Sequence, residues 1–94
     1  MTFKSHRAEY KLVYSESAKK ELSKLEKPLA KKVEQKIADL ARGQDNLDIK
    51  KLAAYKEPTY RLRVGDIRVI YSLWHEQVIV YVIQIGHRRE IYQR

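Results

Sequence analysis

The sequence predicts an α+β fold in which an N-terminal strand and an α-helical hairpin pack on a small antiparallel β-sheet. Three observations support this fold class. Apolar residues recur with a helical period between residues 15 and 43. From residue 59 onward the period changes to two, which is typical of strands with one buried face. The Gly65-Asp66 pair interrupts this alternation and indicates a tight hairpin, so the strands fold back and cover the helices.

The first half of the chain is predicted to hold one strand and two helices. Residues 9–14 are β-prone, and either Ser15 or Ser17 then offers a side-chain cap for the first helix. Pro28 suits the first turn of the second helix, and Gly43 is expected to end it. The apolar stripes that predict the buried helix faces are Ala18, Leu22 and Leu25, then Leu29, Val33, Ile37 and Leu40. The segment 44–58 is polar or poorly patterned, so no element is predicted there.

Length and composition restrict the class of protein. We expect 94 residues to form one domain, residues 1–94. The chain has no cysteine, and the first twenty residues lack the apolar run of a signal peptide, so a soluble cytoplasmic protein with no membrane partner is expected. His6 and His75 share no ligand spacing, so we expect neither metal nor cofactor. A net charge of +8 attracts nucleic acid, an acidic protein or an anionic membrane, and charge alone does not choose among them.

The hairpin around Gly65-Asp66 is predicted to concentrate arginines on one face of the sheet. With a two-residue loop, Arg63 lies opposite Arg68, and Arg61 lies opposite Ile70. Like charges in direct cross-strand pairing destabilise a sheet by about 0.2–1 kcal/mol, and the only acid between residues 61 and 74 is in the turn. We therefore predict an anion site on this surface, named here the arginine face; the alternative is a solvated face whose charges serve solubility. The opposite, core-facing side of the hairpin carries Tyr60, Leu62, Val64, Ile67, Val69 and Tyr71.

A third strand is predicted over residues 77–85, which are apolar on both faces. A turn at His75-Glu76 would set Val69 opposite Val82 and Arg68 opposite Ile83. The even-numbered valines then join the core, and the odd-numbered residues share the arginine face: Ile79, Tyr81, Ile83 and Ile85. Continued past Gly86, the strand brings His87 to the same face, with Arg88 and Tyr92 at its rim.

The residues gathered in this way suit RNA transesterification, in which a 2′-OH attacks its own 3′ phosphate. Arginine binds phosphate oxygens with two parallel hydrogen bonds and stabilises a dianionic phosphorane. Histidine can transfer protons near neutral pH, and tyrosine can stack on a base or donate a proton. The candidate catalytic residues are therefore Arg61, Arg63, Arg68, His87, Arg88 and Tyr92.

Two motifs, Tyr-Arg-Leu-Arg-Val-Gly-Asp-Ile-Arg-Val-Ile-Tyr at 60–71 and Ile-Gly-His-Arg-Arg-Glu-Ile-Tyr at 85–92, closely resemble toxins of the RelE/ParE superfamily. The resemblance covers nearly the whole chain and implies a toxin of a type II toxin–antitoxin module. RelE-like members enter the ribosomal A site and cleave messenger RNA, leaving a 2′,3′-cyclic phosphate. A RelB-like antitoxin encoded alongside would wrap the toxin in a hetero-oligomer; ribosome and messenger RNA are the other expected partners.

Matched by position, the resemblance also implies roles for individual residues. Arg61 and Arg63 match a pair of basic residues, and Arg68 matches the arginine at the scissile phosphate. Arg88 matches the basic residue that follows the glycine, and Tyr92 the tyrosine that orients a base. Well-studied RelE toxins carry lysines at the first two positions, and a lysine can act as the base where an arginine cannot. We therefore hypothesise that His87 assists proton transfer.

Two other functions remain open at the level of sequence. A ParE-like toxin shares the fold but inhibits DNA gyrase and generally lacks the RNA-cutting residues; Arg68, Arg88 and Tyr92 together favour the RelE-type endoribonuclease. A non-enzymatic nucleic-acid-binding module would use its arginines only to neutralise phosphates, with strong salt dependence and no strand scission.

Overall fold

The computed structural model describes residues 9–53 and 55–87. They form two helices packed on one five-stranded sheet, which confirms the α+β prediction. The sheet order is β1-β5-β4-β3-β2, with β1 parallel to β5 and the other neighbours antiparallel, so the sheet is mixed. In chain order the elements are β1 (Lys11–Tyr14), α1 (Glu16–Lys24), α2 (Lys27–Ala41), β2 (Asp48–Leu52), β3 (Thr59–Val64), β4 (Ile67–Trp74) and β5 (Ile79–His87).

The helix boundaries follow from local chemistry. Of the two candidate caps it is Ser15 that acts: its Oγ accepts a hydrogen bond from the Ala18 N–H at 2.9 Å. Pro28 lies in the first turn of α2, where a missing N–H costs nothing. Gly43, at φ 75°, follows the end of α2 and donates its N–H to the Leu40 carbonyl at 3.0 Å. These three features confirm the predicted helical hairpin.

The core lies between the helices and one face of the sheet. Val33 and Ile37 of α2 are fully buried, and Ala18 is the buried residue of α1. The predicted apolar face of the β3–β4 hairpin meets them, and Leu62 and Val69 at its centre are fully buried. Burying a Val, Leu or Ile side chain contributes about 1.5–3 kcal/mol, so this layer supplies the main driving force for folding. Within the described residues, neither helix is long and apolar enough to cross a membrane.

Strand β2 lies in a segment for which the sequence predicted no element. It pairs antiparallel with β3 at the edge of the sheet, with Asp48 opposite Arg63 and Leu52 opposite Thr59. The residues from Asp48 to Lys51 are all exposed, so this strand lacks the alternation of apolar and polar residues by which a strand is predicted. Charged side chains on an edge strand also discourage pairing with other chains, which accounts for its lysine-rich sequence.

The register between β4 and β5 differs from the predicted one. The turn spans four residues, 75–78, rather than two, and Trp74 pairs with Ile79. A β-bulge then shifts the register between Ile70 and Tyr71, so that Tyr71 pairs with Val82 and Val69 with Ile85. The predicted Val69–Val82 pairing is therefore wrong. The expectation that Ile85 faces away from the core is also wrong, because Ile85 is part of the core and is only 1% exposed.

The bulge in β5 is bonded to Ser15, at the start of α1. Because Tyr71 pairs with Val82 and Ile70 with Gln84, Ile83 is the extra residue. Its carbonyl accepts a hydrogen bond from the Ser15 Oγ at 2.7 Å, while the Ser15 N–H donates to the Val82 carbonyl at 2.9 Å. The bulge thus fastens β5 to the junction between β1 and α1.

Candidate nucleic-acid interface

The arginine face is the surface of the sheet opposite the helices. In the observed hairpin register Arg63 lies directly opposite Arg68, and Arg61 lies opposite Ile70. The structure thus confirms that strands β3 and β4 bring three arginines to one surface. Arginine keeps its charge at physiological pH and presents a planar fork of donors that fits phosphate oxygens. Three such groups in two adjacent strands concentrate positive charge on this face, where Arg63 is the most exposed of them and Arg61 and Arg68 are largely buried.

The turn between β3 and β4 helps to set the position of Arg68. Gly65 has φ +61°, whereas Asp66 has a negative φ, which is the combination found in a type II′ turn. The Arg68 Nη1 donates a hydrogen bond to the Gly65 carbonyl at 3.1 Å, and Arg68 as a whole is only 4% exposed. This contact directs the guanidinium back along the turn, so its direction is fixed more firmly than that of a surface side chain.

An acidic residue also lies on the arginine face, contrary to expectation. Asp48, on strand β2, accepts from the Arg61 Nη2 on its Oδ1 at 3.0 Å and from the Arg63 Nε on its Oδ2 at 2.8 Å. Asp48 could not be placed on this face from the sequence, because β2 was not predicted. Phosphate therefore cannot be inferred as the missing counterion of Arg61 and Arg63.

Positive charge nevertheless predominates at this end of the sheet. Lys50 pairs directly with Arg61 in the β2–β3 register, and Arg63 pairs with Arg68 in the β3–β4 register. Among the described strand residues that share this face, Asp48 is the one acid. The arrangement therefore still attracts an anion, with one carboxylate placed among four basic side chains.

His87 is not on the arginine face. It pairs with Ile67, a fully buried core residue, so its side chain projects from the helix side of the sheet, where it is exposed. Gly86, not Ile83, is the residue opposite Arg68. The bulge at Ile83 reverses the alternation predicted for the end of β5, so the expected placement of His87 is wrong. Arg88 and Tyr92 lie outside the described residues.

An aromatic pair occupies the far end of the same face. Tyr81 pairs with Ser72, which shares the alternation of Arg68, so its predicted position on this face is confirmed. Its ring centroid lies 5.7 Å from that of Trp74, which is 38% exposed. Such a pair offers an apolar surface on which a base can stack.

Three further tyrosines pack in or beside the core: Tyr14, Tyr60 and Tyr71. Tyr71 stacks on Tyr60 with centroids 5.5 Å apart, on the core side of the hairpin. Burial raises the pKa of Tyr71, and the neighbouring Tyr60 adds to the increase. Burial likewise raises the pKa of Tyr14, with a contribution from Glu34. In the part of the chain that the structure describes, no cluster of His, Asp and Glu has the geometry of a metal site.

The fold is similar to that of several solved toxin structures. The chain has a TM-score of 0.73 and 23% identity to RelE in the RelE–RelB complex of Pyrococcus horikoshii, covering 86% of this chain and 97% of that one. The Mycobacterium tuberculosis RelBE2 complex also gives a TM-score of 0.73, with 24% identity and coverage of 86% and 100%. The isolated Escherichia coli RelE toxin gives 0.66, with 27% identity and coverage of 89% and 92%.

Comparison with family models gives the family. Residues 12–92 match the model described as the ParE toxin of type II toxin–antitoxin system, parDE. A search of curated proteins found no significant sequence match. Since the family model spans most of the chain and the solved structures share its architecture, the chain belongs to the ParE toxin family of type II toxin–antitoxin systems, within the RelE/ParE superfamily.

Proposed function

We propose that this toxin cleaves messenger RNA on the ribosome and uses the arginine face to bind the RNA backbone. The observation that carries the proposal is the direct pairing of Arg63 with Arg68. Arg61 lies on the same face, two residues before Arg63 in β3. Direct pairing of like charges is unfavourable in a purely structural sheet. The 27% identity to the isolated E. coli RelE toxin supports the same conclusion.

The proposed reaction is an internal transesterification. The ribose 2′ oxygen attacks the adjacent phosphorus, the bond to the 5′ oxygen breaks, and a 2′,3′-cyclic phosphate and a free 5′-hydroxyl are formed. One proton leaves the 2′-hydroxyl and one is added to the 5′ oxygen, so no net proton is consumed. Arg68 would contact the scissile phosphate, while Arg61 and Arg63 bind phosphate oxygens beside it. Preorganised donors of this kind stabilise the charge that develops on the phosphorane.

The remaining members of the site are assigned by resemblance alone. Arg88 would add a further phosphate contact, and Tyr92 would stack on or orient a base. We do not assign a base among the described residues, because Arg61 and Arg63 occupy the positions where related toxins carry lysines. His87 projects from the other side of the sheet, so the catalytic role hypothesised for it requires a separate test.

The proposal includes two partners and a compartment. A RelB-like antitoxin would neutralise the toxin in a hetero-oligomer, since several structural relatives are toxins solved in complex with RelB antitoxins. The ribosome would present the message, which places the toxin in the cytoplasm. The net charge of +8 is consistent with both an acidic antitoxin and ribosomal RNA.

A second candidate function is inhibition of DNA gyrase. The specific observation in its favour is the family model, which describes a ParE toxin.

One experiment separates the candidates. The purified toxin is added to programmed ribosomes, to the same message without ribosomes, and to gyrase with relaxed plasmid. The proposed function predicts primer-extension stops within codons in the first sample alone. Loss of supercoiling with intact message would establish the gyrase function instead. Salt-sensitive RNA binding with neither effect would identify a non-enzymatic module.

A further inference from the structure

Asp48 makes two ion pairs that restrict the orientation of two arginines as well as balancing their charge. Its two carboxylate oxygens are divided between two arginines: Oδ1 accepts from the Arg61 Nη2 at 3.0 Å and Oδ2 from the Arg63 Nε at 2.8 Å. Both distances are those of well-formed charge-assisted hydrogen bonds. A guanidinium is planar, so one short bond to a fixed acceptor restricts the direction of the whole group.

The surroundings distinguish this arrangement from an ordinary surface ion pair. The Arg61 side chain is only 13% exposed, so its contact with Asp48 is screened less by solvent than an exposed pair. Lys50 opposite Arg61 and Arg68 opposite Arg63 would otherwise push these side chains apart. Asp48 lies directly across from Arg63 and diagonally from Arg61, so a single carboxylate holds both against this repulsion.

The same two bonds compete with the anion that the face would bind. A phosphate oxygen that approached the Arg61 Nη2 or the Arg63 Nε would meet a donor already bonded to Asp48. The carboxylate also repels phosphate through space. At a separation of about 6 Å in a largely aqueous environment, one unit charge changes binding about three-fold.

We infer that Asp48 is a positioning residue of the proposed phosphate site: it aligns Arg61 and Arg63 for the reaction and lowers the affinity of the free toxin for RNA. The inference rests on the proposed function. It has a consequence that a structural role lacks, since affinity and turnover must change in opposite directions when the carboxylate is removed. It also accounts for dependence on the ribosome, because a message held there needs little affinity from the toxin itself.

The test compares the wild-type toxin with Asp48→Asn, measuring single-turnover cleavage on programmed ribosomes and the Kd for a short single-stranded RNA by fluorescence anisotropy. We expect RNA to bind about three-fold more tightly to the variant. The slope of log Kd against log salt should steepen by about 0.7 if one more phosphate is contacted. The cleavage rate on the ribosome should fall at least about ten-fold, because the guanidinium groups are no longer aligned.

Two further variants complete the experiment. Asp48→Glu keeps both acceptor oxygens and should recover most of the cleavage rate. Glu76→Gln removes the same charge from the exposed turn between β4 and β5, and should leave rate and Kd within two-fold of wild type, as expected for an exposed site away from the arginine face. Thermal denaturation of every variant confirms that it is folded.

The measured cleavage rates and Kd values separate failure of the positioning role from failure of the proposed function. Weaker RNA binding by Asp48→Asn, or an unchanged cleavage rate, overturns the positioning role while the proposed function stands. Equal losses in Asp48→Glu and Asp48→Asn also overturn it, since then the carboxylate is not what matters. Wild-type toxin that never cuts a message on the ribosome overturns the proposed function and this inference together.

Discussion

Arg63 and Arg68 lie directly opposite each other across the β3–β4 hairpin, so the two strands meet with like charges in a cross-strand pair. The pair opposes folding by about 0.2–1 kcal/mol. Arg68 is nevertheless 4% exposed and bonded to the Gly65 carbonyl, so the hairpin holds a charge close to its turn. Asp48 balances part of this charge through its 2.8 Å ion pair with Arg63, and the three groups together keep a net positive charge beside the turn.

Loss of Arg68 is expected to be far more damaging than loss of any helix lysine. Arg68→Ala should reduce ribosome-dependent cleavage by about 10²–10³-fold, the usual effect of removing one donor that stabilises transition-state charge. The matched control is Lys32→Ala, which removes an exposed charge from α2 and should cost less than about three-fold. Single-turnover primer extension measures both. Equal losses in the two variants would falsify the assignment of Arg68 to the scissile phosphate.

The β3–β4 turn should depend on Gly65 for conformational reasons alone. A Cβ added there would meet no atom within 4 Å, but the φ of +61° is unfavourable for any other L-residue. Gly65→Ala should therefore lower the free energy of unfolding by about 1–2 kcal/mol. Asp66→Ala, at the neighbouring position with negative φ, should change it by less than about 0.5 kcal/mol. Urea denaturation measures both; similar losses would show that contacts, not backbone conformation, set the cost.

The sequence was sufficient wherever a local rule sets the geometry. The β3–β4 register follows from a two-residue loop, and every pair from Tyr60–Tyr71 to Val64–Ile67 was predicted correctly. Strand β2 could not be predicted, since Asp48 and its neighbours are exposed and give no alternating pattern. The three arginines of the site were therefore found, but the carboxylate that pairs with two of them was not.

The end of β5 shows a second limit of reasoning from sequence. The predicted alternation is correct from Ile79 to Val82, but the strand bulges at Ile83, whose carbonyl is bonded to Ser15, a residue distant in the chain. One inserted residue moves every later side chain to the opposite face. No local pattern reports such a long-range contact.

Alkaline pH is expected to destabilise the fold through Tyr71. Burial raises its pKa above the ordinary value of 10.0, so the folded state holds the phenol proton more tightly than the unfolded state does. The stabilisation is complete below pH 10 and is lost as the pH rises through the folded-state pKa. The urea midpoint of the wild type should be lower at about pH 11.5 than at about pH 9, which lie about 1.5 units above and about one unit below the ordinary tyrosine pKa.

Two variants isolate the contribution of Tyr71 to this transition. Tyr71→Phe cannot ionise, so its urea midpoint should fall less steeply over the same pH range, whatever its stability at neutral pH. Tyr55→Phe removes a tyrosine that is 48% exposed and should leave the wild-type slope unchanged. A parallel decline in all three proteins would assign the alkaline transition to other groups.

His87→Gln tests whether the sheet register decides which residues can reach the proposed site. Since His87 pairs with Ile67 and projects from the helix side, glutamine there should leave ribosome-dependent cleavage within about two-fold of wild type. The rate should be measured from pH 5.5 to 8.5, which spans about one unit below to about two units above the reference pKa of histidine. If His87 does transfer a proton, the variant should instead lose at least about ten-fold in rate, with a changed dependence of the rate on pH. That outcome would require the RNA to reach around the end of β5, so it would also move the reacting phosphate away from the Arg63–Arg68 pair.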